Sequence, residues 1–420
     1  VNADYDVVVA GGGMVGISFA LALDHFSAGA LRILVVESFA MPETAGAGST
    51  GNSAATYRPS FDARATALSH GSRLILENIG VWPQLALHAS AIYNIHVSER
   101  GHFGSATLET ARRGWPALGH VVENARLGRV LLEKLRQRPS IAWLSPARVV
   151  DCAPGPDHAT ITIDDGSPRT VTTRLLSIAD GANSGLRAGL GIGSSTHDYQ
   201  RQAIIATIGS SRPHAGWAYE RFTDWGPMAL LPLANSVEGQ ARMALVWTMT
   251  GARAASLMEC PEQEFLDALQ RRFGPRHGRF TRMGGRTGYD LRLTTADEQI
   301  RRQLVLIGNA AHSLHPVAGQ GFNLALRDVA RLAQILAAAA KAGAAPGELA
   351  VLQRYLAEQA TDQRKTIFFS DRVTALFEQP NRIAGALRRL GLAALDLNTD
   401  GKNYFIDHSA GHQPGAALGI

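Results

Sequence analysis

Residues 6–16 read Asp6-Val7-Val8-Val9-Ala10-Gly11-Gly12-Gly13-Met14-Val15-Gly16. The short apolar, β-branched run fits a buried parallel strand, and from Ile17 to Leu23 the pattern changes to small-residue helical spacing. Each glycine between them has a chemical reason: Gly11 permits a tight turn, Gly13 lets backbone approach a pyrophosphate, and Gly16 lets the helix pack closely on the strand. The first helical turn, Met14 and Val15 included, then presents free N–H groups and the positive end of the helix dipole to phosphates. A second buried strand, Arg32-Ile33-Leu34-Val35-Val36, ends in Glu37, where an acidic side chain accepts hydrogen bonds from an adenosine ribose. Strand, glycine turn, helix, strand and acid together argue against a bare phosphate loop, although Glu37 also reads as a solvated strand end.

One glycine-rich turn is a weak signal by itself. Two more follow in the chain, Asp180-Gly181-Ala182-Asn183-Ser184-Gly185-Leu186-Arg187 and Gly308-Asn309-Ala310-Ala311-His312, each after an apolar strand. Asp180 stands beside the permissive Gly181, where a carboxylate can meet the hydroxyls of a diphosphate-bearing ligand, and the polar side chain of Asn309 ends a strand in the same way. Ligands of open α/β sheets bind outside the carboxyl ends of the strands, an edge that all three motifs would share. From Pro316 through Gly319 and Gly321 a turn opens a long Ala/Leu helix over Gly321–Lys341. Backbone N–H groups of Gly321, Phe322 and Asn323 at its start suit an anionic ligand edge.

The chain of 420 residues exceeds one typical core, so two connected domains are expected, and 45% apolar residues suffice to fill them. A formal charge of +5 without lysine runs or basic stripes makes no case for nucleic acid, and is compatible with an anionic membrane surface or a phosphorylated cosubstrate. Cys152 and Cys260 lie far apart without metal-ligand spacing, which suits a reducing cytosol and argues against a disulfide framework or a zinc site. The sequence holds no run of about 18 apolar residues, and Val1-Asn2-Ala3-Asp4 does not read as a signal peptide.

The three motifs, in this order and over almost the whole chain, resemble those of the FAD-dependent aromatic hydroxylases of the para-hydroxybenzoate hydroxylase class. They correspond to GxGxxG, to DGxxSxxR (Asp180, Gly181, Ser184, Arg187) and to the segment from Gly308 through Asn323. Within the class the similarity is to the ubiquinone-biosynthesis branch, hydroxylases of the 2-polyprenyl-6-methoxyphenol type. It is carried by Asp62–Ser69, by Tyr219-Glu220-Arg221-Phe222-Thr223 with Gly226–Pro232, and by His315–Leu324. Asn309 departs from the class aspartate; it still hydrogen-bonds a ribityl hydroxyl but removes a negative charge beside the flavin.

The resemblance implies an α/β fold with a Rossmann-like FAD-binding domain, an inserted mixed β-sheet substrate domain and a C-terminal helical region. FAD-binding segments are expected over 1–90, 116–196 and 286–345, substrate-domain segments over 91–115 and 197–285, and helices over 346–420. It implies hydroxylation of a polyprenylated phenol with NADH or NADPH and molecular oxygen, through a flavin C4a-hydroperoxide. Arg64 and Arg129 match class arginines that reach the cofactor, against bland readings as surface cations. Other ubiquinone-pathway enzymes and a membrane surface are the expected partners, with a cytoplasmic location peripheral to the inner membrane. The stripe Ile383, Leu387, Leu390, Ala394, Leu397 suits such a surface, or packing on the protein itself. His312 reads as a loop brace rather than a base, Tyr219 and Tyr289 as core aromatics, and Arg187 as a loop-orienting residue or a contact of the nicotinamide cofactor. No phenol-deprotonating base is legible. A hydroxylase of a soluble phenol and a FAD-holding scaffold subunit are the alternatives.

Overall fold

The computed structural model describes residues 3–40, 64–101, 105–112, 114–236, 239–314, 319–378 and 407. Pro316 and the apolar stripe over 383–397 lie outside the described residues.

The buried run Tyr5–Ala10 is the centre of an eight-stranded sheet. Ile33–Val36 and Pro168–Ile178 pair with it in parallel on either side, Ile141–Leu144 and Leu304–Leu306 extend the parallel set outward, and the antiparallel Ile300–Arg301 closes one edge. The eleven-residue strand Pro168–Ile178 overruns its parallel partners, and its early half forms an antiparallel ribbon with Ala159–Asp164 and Arg148–Ala153. Side chains alternate faces along a strand. Val7 and Val9 accordingly join a core built with the helices Met14–Phe26, Asn124–Arg136 and Gln320–Lys341, whereas Val8 and Ala10 join the ribbon residues Ile161 and Ile163 on the other face.

A nine-stranded mixed sheet stands beside it. Its path runs His312–Ser313, Thr287–Ala296, Ser194–Ser210, Ala241–Thr250, Pro227–Leu233, Trp217–Phe222, Asn94–Glu99, Ser105–Glu109, with Phe280–Met283 also on Ser194–Ser210. All pairs are antiparallel except Trp217–Phe222 with Asn94–Glu99. The sheet takes in Thr287–Ala296, beyond residue 285, because the seventeen-residue strand Ser194–Ser210 offers it an edge along most of its length. One face packs Ile204, Tyr219, Leu230, Leu245 and Trp247 against the helices Gly251–Glu259 and Glu262–Phe273. A small third sheet, Ala65–Ser69, Gly119–Glu123 and Ser90–Ile92, lies against the nine-stranded sheet, and Val121 and Ala65 share a cluster with Ala218, Leu233 and Ala244.

The C-terminal helix Leu349–Glu378 packs on Gln320–Lys341 through a buried ion pair, Arg327 Nε to Asp362 Oδ2 at 2.7 Å, with Thr366 Oγ1 accepting from the same guanidinium. Among the described residues no helix is long and apolar enough to cross a membrane. Phe265 is fully buried and meets the Trp247 ring edge-on at 5.9 Å. Phe265→Ala removes that ring from the helix backing the nine-stranded sheet; it is expected to cost about 3–5 kcal/mol, read as a lowered urea midpoint.

Candidate flavin site

The parallel strands end together, so the residues following Ala10, Val36, Ile178 and Leu306 share one sheet edge. Gly11 takes φ +110°, and its N–H donates to the Val36 carbonyl at 2.8 Å. A Cβ there would stand 2.5 Å from the Ala179 oxygen. Gly16 carries the tighter restriction, since a Cβ would lie 2.0 Å from the Gly11 oxygen, so only a bare α-carbon lets the helix begin against the turn. Gly13 caps Met14–Phe26 with no side-chain hydrogen bond, and the first turn holds no acidic residue. The free N–H groups of that turn therefore keep their positive end for a ligand anion.

Glu37 is held by backbone on both carboxylate oxygens: Gly12 N–H donates to Oε2 at 2.7 Å and Phe39 N–H to Oε1 at 2.9 Å. The acid at the end of the second strand is thereby fixed beside the glycine turn, with acceptor capacity left over.

Asp180 follows the strand Pro168–Ile178 at the same edge, with Gly181 in the turn after it. Burial raises its carboxyl above the usual carboxylate range although part of its surface is open; hydrogen bonds with Ser184 and the Leu186 backbone and the charge of Arg187 oppose that rise. Arg187 is buried and donates to the carbonyls of Ala310 at 2.9 Å and Ala182 at 3.2 Å and to Ser194 Oγ at 3.3 Å. The loop-orienting reading of Arg187 follows from these bonds: the guanidinium ties the second motif to the third. Asn309 is exposed on the 3-10 turn Gly308–Ala310, and Gly308 lies against Val15 of the first motif.

Gly319, in the left-handed region at φ 60° and ψ 24°, caps Gln320–Lys341, whose first turn again has no side-chain cap and no acid. The N–H groups of Gly321 and Phe322 belong to that turn. The buried Asn323 side chain is a brace: Oδ1 accepts from Ser69 N–H at 2.9 Å, and Nδ2 donates to the carbonyls of Ala67 at 2.8 Å and Gly319 at 2.7 Å. His312 is a brace too, buried with Nε2 2.7 Å from Oδ2 of Asp328 inside the same helix. Arg64 lies 4.8 Å from the Tyr289 ring centroid, so this residue spans from the small sheet to the nine-stranded sheet. Arg129 stands on the exposed side of Asn124–Arg136, without a hydrogen bond or ion pair among the described residues. Tyr219 is core, ringed by Trp217, Phe273 and His277.

Sequence reasoning passed over Asn124, buried at the start of its helix, whose Oδ1 accepts from Thr66 Oγ1 at 2.7 Å and whose N–H donates to the Arg64 carbonyl. Its signal was the asparagine immediately after the strand Gly119–Glu123.

Glycines that a Cβ would jam against backbone, two open helix N-termini and a backbone-held acid fit a dinucleotide with a charged flavin edge. A family model described as a FAD binding domain matches residues 4–370. The chain belongs to this FAD-binding family. Its class is the flavin-dependent aromatic monooxygenases, and FAD is its cofactor. The chain is 33% identical over 411 residues to the ubiquinone hydroxylase UbiL of Rhodospirillum rubrum, covering 97% of this chain and 89% of that protein. It is 29% identical over 438 residues to the rat mitochondrial ubiquinone biosynthesis monooxygenase COQ6, covering 93% and 87%. In fold it is similar to p-nitrophenol 4-monooxygenase PnpA of Pseudomonas putida DLL-E4, with a TM-score of 0.73 at 19% identity over 97% of this chain and 98% of that one. The expected fold class and the resemblance to the ubiquinone-branch hydroxylases are borne out.

Gly16→Ala is expected to displace the first helix from its turn and to lower FAD affinity by about tenfold or more, a cost of roughly 1.4 kcal/mol per decade. The check is the flavin-to-protein absorbance ratio after dialysis, with far-UV circular dichroism unchanged. Arg187→Lys is expected to loosen FAD as well, because a single ammonium cannot bridge the carbonyls of Ala182 and Ala310 in the fork geometry of a guanidinium.

Proposed function

We propose that this protein hydroxylates the ring of a polyprenylated phenol in ubiquinone biosynthesis, with NADH or NADPH as electron donor and molecular oxygen as co-substrate. The observation that carries the reading is the position of the nine-stranded sheet: one face is sealed by helices, and the other carries Tyr289, under Arg64, on the strand Thr287–Ala296 that pairs with His312–Ser313 of the third motif. Similarity to a ubiquinone hydroxylase and to a ubiquinone biosynthesis monooxygenase favours a ubiquinone precursor over a soluble phenol.

When bound, FAD takes electrons from the nicotinamide cofactor and activates oxygen for transfer of one atom to the ring. The chain's own part is to hold, orient and keep dry. Gly11, Gly13, Met14, Val15 and Gly16 receive the pyrophosphate on the first helix, Glu37 the adenosine ribose, Asp180 beside Gly181 the hydroxyls of the diphosphate-bearing ligand, and Asn309 a ribityl hydroxyl. Gly319 and the backbone N–H groups of Gly321, Phe322 and Asn323 support negative charge on the flavin edge, with Pro316 assigned to the same contacts. Arg64 and Arg129 complete the cofactor contacts. Segments 1–90, 116–196 and most of 286–345 form the FAD-binding part, and 91–115, 197–285 and the strand Thr287–Ala296, which completes the nine-stranded sheet, the substrate part. A membrane surface, met from the cytoplasmic side, supplies the lipid-tailed substrate.

FAD-loaded protein is mixed with NADH or NADPH and oxygen, with and without a short-chain 2-prenyl-6-methoxyphenol. The expected outcome is nucleotide oxidation accelerated by the phenol, with a product heavier by one oxygen atom. Tight FAD binding without phenol-stimulated oxidation would instead favour a scaffold subunit.

A further inference from the structure

The interior strand Trp217–Phe222 divides its side chains between two environments. Tyr219 and Arg221 turn to the helix-covered face, where Tyr219 is core and Arg221 donates to the Arg272 carbonyl and to Ser98 Oγ. Ala218, Glu220 and Phe222 share the opposite face. Registers run straight across five strands on that face, Val97 to Glu220 to Ala229 to Val246 to Ile205. Tyr289, paired with Ala203, belongs to the same face, which links it to Arg64.

This face is built of small and aliphatic residues, and Val97, Ala229, Leu231, Val246 and Tyr289 all keep accessible surface although most of them lie on interior strands. The small third sheet covers one end of this face at Ala218, Leu233 and Ala244, with Leu231 against them, and Val246 packs on Ala203; beside that cover the row through Val97, Glu220 and Ala229 keeps surface and lines the recess that remains. Glu220 also keeps accessible surface, and it makes no hydrogen bond or ion pair among the described residues. Burial alone pushes its carboxyl up to about 7. Of the other titratable groups there, Glu99 shares the face on the neighbouring strand. Arg242 is ion-paired with Glu123 at 3.0 Å, and Arg64 stands over Tyr289.

We propose that Glu220 is the acid–base residue that accepts the proton of the substrate's phenolic hydroxyl. The inference rests on the hydroxylase reading and deepens it. A carboxylate in an apolar recess without a donor is costly, and a phenol O–H supplies the missing donor. In the step, the phenolic O–H bond breaks, the proton goes to a Glu220 oxygen, and the electron pair remains on the phenolate. Delocalised into the ring, that pair would form the new C–O bond to one atom of the oxygen that bound FAD activates, as the O–O bond breaks and the other atom leaves as water with the two electrons the nicotinamide cofactor supplies. The ring proton leaves to water as aromaticity returns, and Glu220 gives its proton back to the original phenolic oxygen. The environment narrows the gap to a phenol, which ionises near 10 in water, and so favours transfer.

The test compares wild type with Glu220→Gln and Glu220→Asp, all full-length and FAD-loaded, on a short-chain 2-prenyl-6-methoxyphenol. In wild type, kcat/KM for hydroxylated product should fall as pH drops through about 7, because the base must be ionised. Glu220→Gln should lose product roughly 10²-fold or more and lose that acidic limb, while Glu220→Asp keeps a limb. Bound-phenolate absorbance should be present in wild type and absent in Glu220→Gln. A Glu220→Gln protein that binds FAD and keeps the wild-type rate, limb and phenolate band overturns the role of Glu220 and leaves the hydroxylase reading standing. A wild type that hydroxylates no phenol at any pH overturns the reading itself, and this inference with it. Thermal melting gives a readout independent of turnover. The folded state prefers the protonated acid, so wild-type stability should decline relative to Glu220→Gln as pH rises from about 4.5 through about 7. A difference in Tm that stays flat over that window removes the recess and overturns the proposal.

Discussion

Everything in the flavin-binding half depends on backbone coming into contact with backbone at the carboxyl edge of five parallel strands. Gly16 sits under the Gly11 carbonyl and Gly11 under that of Ala179, at separations that a Cβ would close to 2.0 and 2.5 Å. The absence of side chains has a chemical consequence as well as a steric one. It leaves peptide N–H groups and helix dipoles, not side chains, to face the ligand, and these do not have to be reoriented when an anion arrives.

Such an edge is made of segments far apart in the chain, so something must hold them in register before a ligand binds. Two buried polar side chains do this by donating to backbone. Arg187 joins the turn at Ala182 to the turn at Ala310, and Asn323 joins the carbonyls of Ala67 and Gly319 while accepting from Ser69. Both belong to motifs that read as ligand-binding, yet their side-chain bonds are spent on the protein. The groups of the same motifs with hydrogen-bonding capacity left are the uncapped helix starts, Asp180 and the exposed Asn309.

The nine-stranded sheet solves a different problem, that of being a wall with two unlike faces. Its sealed face packs Trp247, Leu245 and Leu230 under the helix Glu262–Phe273, which makes the wall rigid. Its other face is covered at one end by the small third sheet, at Ala218, Leu233 and Ala244, and beside that cover Glu220 makes no hydrogen bond or ion pair among the described residues.

The parallel strands, the glycine turns and the long helix after Gly319 were legible in the amino-acid order because each is a local pattern: a β-branched run, a turn that only glycine fits, an alanine-rich period. The helix Gly251–Glu259 was not, since it is short, and the place of Asn124 directly after a strand does not reveal its burial. Glu220 was quoted as part of a family-like segment without a role. Alternation along Trp217–Phe222 says that Glu220 and Tyr219 differ in face, but not which face is sealed. That was decided by the pairing of Asn94–Glu99 with a strand more than a hundred residues later and by the helices behind the sheet. Sequence by itself determined where backbone can approach a dinucleotide, because that depends on single residues lacking side chains. Tertiary structure alone decided which charges are spent on the protein and which remain for chemistry, because desolvation and partnering depend on what long-range contacts bring within a few ångströms.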